Sequence, residues 1–146
     1  MTASQIYEGW FDLYDQNFDL IFQTLSEQGY KYFVLTFILV PFGCWLLFYY
    51  AWLYPYGKRW HWMLWLVLTT LLVFGSTWGV AHSAIFSSNN SSLISALNDS
   101  SSGYQKYASS LPFKYSLING ALSLAISIVC TAVMKQFSKV QIHLPA

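Results

Sequence analysis

Polar and apolar positions divide this chain into four long helical blocks separated by one short and one long polar connection. The first block, residues 4–28, has a helical period. Glu8, Asp12, Asp15 and Asp19 recur at spacings of four, three and four, which places them on one stripe. Tyr7, Trp10, Tyr14, Phe18, Ile21 and Leu25 recur at the same period on another face. Thr2 or Ser4 suits the start of such a helix and Gly29 its end. With one face this polar the block is too hydrophilic to cross a bilayer. It is expected to lie along a membrane surface or against protein, aromatic side buried.

Three apolar blocks follow, at about 32–54, 62–86 and 113–137, each near the roughly 20 residues that cross a hydrocarbon core. Pro41 removes an internal hydrogen bond from the first and Gly43 loosens the same turn, so a kink is expected there. In the second, Gly75 and Gly79 form a GxxxG pair and Ser83 continues the row. In the third, Ser116, Gly120, Ser123, Ser127 and Thr131 recur at four, three, four and four. Rows of small residues let helices approach closely, and the two rows are expected to pack on each other. Asn119 is the strongest polar group within any span and reads as a hydrogen-bonding link between helices.

The two connections differ in kind. Residues 49–62 pack aromatic rings on both sides of Pro55-Tyr56-Gly57 and carry the adjacent cations Lys58 and Arg59, followed by Trp60. Aromatic rings favour the headgroup level, and clustered cations favour the cytoplasmic side. Lys58, Arg59 and Trp60 therefore read as a topology anchor. The second connection, residues 87–111, is rich in Ser and Asn, with Leu93, Ile94 and Leu97 forming a patch suited to a turn or two of helix. The Ser100-Ser101-Ser102-Gly103 run is expected to end that helix. Asn89, Asn90 and Asn98 each begin an N-glycosylation acceptor pattern, a weak signal in so Ser-rich a segment.

Charge then orients the chain. Five carboxylates and a single cation, Lys31, precede the first span, while Lys58-Arg59 and Lys135-Lys139 flank the other ends. Three spans meet the positive-inside bias with the N-terminus outside and the C-terminus inside. Composition points the same way. Only 9% of the 146 residues are charged, against about 25% for a soluble domain, so lipid is the expected solvent. The formal net charge of +1 offers no basic stripe for nucleic acid. No basic stretch precedes an apolar core at the N-terminus, so the first span is expected to serve as its own insertion signal rather than follow a cleaved one.

Candidate chemistry is sparse. Cys44 and Cys130 sit inside different spans and read as small hydrophobes rather than as a disulfide. His61, His82 and His143 fall in different parts of the expected topology, so no metal set and no cofactor site is expected. His82 beside Ser83 lacks a carboxylate nearby in sequence to orient it. No ionisable group lies deep within a span, where a proton relay or ion-coupled transporter needs one.

The expectation is therefore an all-α integral membrane protein: an acidic N-terminal helix over residues 1–29, then a three-span domain over 30–146. Its partners would be membrane lipids, other membrane subunits or copies of itself. Glu8, Trp10, Asp12, Asp15, Phe18 and Asp19 are the candidate docking residues, since an acidic face gains nothing from anionic lipid. The leading role is a structural or anchoring subunit of a larger assembly, such as a bacterial secretion or injection machine of the inner membrane. The alternative is a homo-oligomeric pore, because three spans with this topology resemble one class of phage holins. In that case the Ser-Thr stripe of the third span would line water.

Overall fold

The computed structural model describes residues 5–51, 59–99 and 101–137, without the side chains of Trp10, Gln28 and Arg59. The described residues form helices and connections, with no strand among them. After two short turns the helices are α1 (Asp19–Gln28), α2 (Tyr30–Leu46), α3 (Arg59–Phe86), α4 (Ser91–Asn98) and α5 (Tyr104–Phe137). A π-helical turn, Leu47–Ala51, extends α2.

Three segments are long and apolar enough to cross a membrane: Tyr30–Ala51, Trp60–Phe86 and Tyr104–Phe137. They pack on one another as an up-down-up bundle. One end, where Tyr30, Phe86 and Tyr104 lie, is covered by the N-terminal segment, α1 and α4. The other carries the α2–α3 connection. We refer to these as the capped end and the hairpin end. Large apolar side chains line the outside, among them Leu39, Leu47, Leu71, Val129 and Phe137.

The N-terminal block is not one helix. A π-helical turn, Gln5–Trp10, is followed by an irregular stretch and a 3-10 turn, Gln16–Phe18, before α1 begins. Asp12 has φ +47°, in the left-handed region that a short polar side chain tolerates best. Asp15 then caps the 3-10 turn by accepting from the Asn17 backbone N–H at 3.0 Å. The carboxylates therefore do not share one helical stripe. The period was real, but burying Tyr7 in the bundle stabilises the broken path more than helix propensity stabilises the straight one.

Gly29 separates α1 from α2. A Cβ there would lie 2.8 Å from Leu25 Cδ2 and 3.1 Å from the Leu25 carbonyl oxygen, so the close approach at this turn favours glycine. At the far side, Asn90 starts α4 by accepting from the backbone N–H groups of Ser92 and Leu93, while its amide donates to Thr24. Asp99 ends that segment. The hydroxyl and backbone N–H of Ser101 donate to it and hold its carboxyl below the usual range. Gly103, at φ +74°, supplies the left-handed residue before α5.

Helix α5 begins nine residues before the apolar block at 113, so Pro112 sits inside it. Tyr104, Tyr107, Ala108 and Leu111 follow the i, i+3, i+4, i+7 rule, and their side chains pack on the capped end. Polar neighbours in the sequence mask that row.

Candidate functional site

The centre of the capped end is Asn119, fully buried on α5. Its side-chain carbonyl accepts from the Tyr7 hydroxyl at 2.7 Å. Its amide donates to the Phe33 carbonyl oxygen on α2 at 3.2 Å and to the Thr77 hydroxyl on α3 at 3.0 Å. One side chain thus ties the N-terminal turn to all three long helices. Both amide hydrogens are used, so the group is a link with no donor left for a ligand. Tyr7 is itself enclosed by Tyr30, Phe33 and Tyr115, with ring centroids 5.4, 5.6 and 5.4 Å away. Burial pushes the Tyr7 phenol above its ordinary pKa, while the bond to Asn119 pulls the other way. Beside it the Tyr30 and Tyr115 hydroxyls meet at 3.2 Å.

The small-residue rows do not meet. Ser116, Gly120, Ser123, Ser127 and Thr131 on α5 all face the interior. Opposite them stands a different row of α3, with Thr69, Val73, Thr77, Ala81 and Ile85 all buried. Gly75, Gly79 and Ser83 lie on the outer face of α3, and nothing approaches within 4 Å of a Cβ built at either glycine. The expected pairing of these two rows is therefore corrected. Gly75 is two residues from both Val73 and Thr77, about 200° around the helix, so only one row can turn inward. Thr77, the residue that meets Asn119, belongs to the row that does.

The candidate docking residues also divide. Phe18 is committed within the chain, stacked on Tyr107 at 4.1 Å and edge-on to Tyr104 at 5.0 Å. Asp15 serves as a cap. Asp19 accepts from the Tyr14 hydroxyl at 2.9 Å and from the Gln23 amide. That bond to Asp19 raises the Tyr14 pKa. Glu8 is half-buried, Asp12 is exposed, and the aromatic neighbours Phe11 and Tyr14 are each 40% exposed. Phe11, Asp12 and Tyr14 form an aromatic-acidic turn that projects from the capped end. Tyr107 holds its base by donating to the Leu13 carbonyl oxygen at 3.2 Å. The Trp10 side chain, Lys58, the Arg59 side chain, Lys139 and His143 lie outside the described residues, and Trp60 is 65% exposed.

A groove of about 690 Å³ opens on the flank of the capped end, between the close of α1, the start of α2 and the close of α3. Glu27, Lys31 and Tyr32 form one wall, Ser83 and Ser87 the other, over a floor of Gly79, Val80 and Ala84. His82 is exposed, its ring against Phe86 at 4.7 Å. Cys44 and Cys130 are free thiols. Among the described residues, no three His, Cys, Asp or Glu side chains gather closely enough to hold a metal ion. Compared with known proteins, the chain matches no family model, no curated sequence and no solved structure.

Proposed function

We propose that this chain is a non-enzymatic membrane subunit, anchored by three spans and offering its capped end to other proteins of a larger assembly. The observation that carries the reading is the turn bearing Phe11, Asp12 and Tyr14. It is solvent-exposed, yet its base is fixed in the bundle by Tyr7 and Asn119. Aromatic side chains presented on a rigid base dock with little loss of conformational entropy, and a neighbouring carboxylate adds orientation. In this reading the capped end lies outside and the cationic hairpin end inside, as in a bacterial inner membrane and its secretion or injection machines.

The interior favours a scaffold over a conduit. Within the single chain, the small polar residues of α5 are turned against α2 and α3 rather than left to line a water-filled path. The test is gentle purification from native membranes of the wild type and of Phe11→Ala combined with Asp12→Lys. Wild type should run in large hetero-oligomeric particles, and the variant should insert in the membrane but run alone. Co-assembly unchanged by the substitutions would overturn the docking assignment. Ion leakage on expression of the chain by itself would overturn the anchor.

A further inference from the structure

We propose that the groove beside α3 is a headgroup site for a zwitterionic phospholipid carrying a phosphate and a primary amine. The proposal rests on the membrane reading above and adds a specific ligand to it. Its position is the first argument. Lys31 and Tyr32 lie in the first turn of α2, while Ser83 and Ser87 lie at the last turn of α3 and just beyond it. These are the levels at which two spans leave hydrocarbon, where a lipid phosphate sits.

Shape is the second. The floor at Gly79 carries no side chain, and Gly75 extends the smooth face one turn deeper on the same exposed side of α3. From Ser87 to Gly79 the groove runs about 12 Å along the helix, and the exposed, side-chain-free surface at Gly75 one turn further on would seat more of an acyl chain below the headgroup.

Charge selects the headgroup. Glu27 and Lys31 stand on the same wall with opposite signs, and among the described residues neither is ion-paired to another side chain. A phosphate against Lys31 would share the groove with the hydroxyls of Ser83 and Ser87, and charge-assisted bonds favour that anion. Glu27 would repel a lipid of net negative charge, while an ammonium with N–H groups satisfies it. A quaternary ammonium has no hydrogen to donate, and the groove has one aromatic ring, Tyr32, rather than the cage such cations need. An ethanolamine headgroup meets all of these requirements.

The test uses the full chain in detergent, delipidated, then offered vesicles of phosphatidylethanolamine, phosphatidylcholine or phosphatidylglycerol. Native mass spectrometry reads the retained lipid. Ethanolamine lipid should be retained at least about tenfold over either of the others. Lys31→Gln and Glu27→Gln should each erase most of that preference. Gly79→Leu should fill the trough and remove retention with the helical spectrum unchanged, since nothing crowds that position. Soluble phosphoethanolamine should compete weakly, because it lacks the acyl chain. Equal retention of the three lipids, or preference untouched by the charge substitutions, would overturn the proposal. So would efficient disulfide dimers of Gly79→Cys in membranes, which would place a second copy in the groove. Release of the wild-type chain from alkali-washed membranes would instead overturn the membrane reading itself.

Discussion

The two ends of the bundle are held together by different physics. At the capped end, hydrogen bonds join residues far apart in sequence: Tyr7 to Asn119, Tyr30 to Tyr115, Asn119 to Phe33 and to Thr77. At the hairpin end the core is ring against ring. Trp45 lies 5.5 Å from Phe48, 6.1 Å from Tyr49 and 6.0 Å from Trp62, and Met134 and Cys130 close the cluster from α5. Rings pack in many mutual orientations, so such a core tolerates adjustment. A carboxamide with three partners on three elements accepts only one arrangement. Register is decided at the capped end. The aromatic end supplies bulk, and the polar end chooses which faces of α3 and α5 meet and where the N-terminal turn sits.

That contrast can be broken from either side. The largest effect is expected at the aromatic end, where Trp45→Ala should cost about 3–5 kcal/mol through lost contacts and a large cavity. Unfolding of the micellar protein by a rising fraction of denaturing detergent measures it. A loss below about 1 kcal/mol would show that this cluster is not the hairpin end's core. Next comes Asn119→Ala, expected to cost about 1–3 kcal/mol because three buried partners are left unsatisfied. Its signature should be local: amide exchange in residues 5–14 should accelerate well before the hairpin end loosens. Uniform acceleration along the chain would mean that the two ends are not separable.

Smaller changes sharpen the comparison. Tyr7→Phe keeps the ring and removes one hydroxyl, for about 1 kcal/mol. Combined with Asn119→Ala in a double-mutant cycle, it should show a coupling of at least about 0.5 kcal/mol, whereas Tyr7→Phe with Trp45→Ala should be additive. The least perturbing probe is pH. Because Tyr7 has a raised pKa in the folded chain, folding favours its protonated form. Its contribution is therefore intact below the ordinary tyrosine pKa of about 10 and is lost as pH rises above it. Exchange protection of residues 5–14 should hold through neutral pH and fall in that alkaline range, with a larger fall in wild type than in Tyr7→Phe, which keeps the raised Tyr14. An unchanged alkaline profile would place the Tyr7 hydroxyl in water.

Much of the fold can be seen in the chain without coordinates. Three apolar blocks become three helices of spanning length, shifted by a few residues at most ends. The period of small residues on α5 is visible as a pattern, as is the short α4 patch ended at Gly103. Other features are not visible. GxxxG marks a face that can pack closely, and Gly75 and Gly79 satisfy it as well as any pair, yet the bundle uses the row of Thr69, Val73 and Thr77. The motif reports capacity for close approach, while the choice of face depends on Asn119, more than forty residues away. Likewise, the acidic spacing from Glu8 to Asp19 describes a helix that is locally sound. It is broken because Tyr7 finds a buried partner 112 positions later.

Read alone, the chain already specifies three apolar helices of spanning length and the polar breaks between them. Apolar run length, low charge and the polar breaks are local quantities, and the free energy of placing each stretch in lipid or in a helix is close to a sum over its own residues. The inward row of α3, the path of the N-terminal turn, the early start of α5 and the groove at Glu27, Lys31 and Ser83 arise from packing between distant parts of the chain. The first two depend on which distant groups pair with Asn119, since leaving Tyr7, Thr77 and that carboxamide unpaired in the interior would cost more than a local helix preference returns. The early start of α5 depends instead on the apolar side chains it packs against.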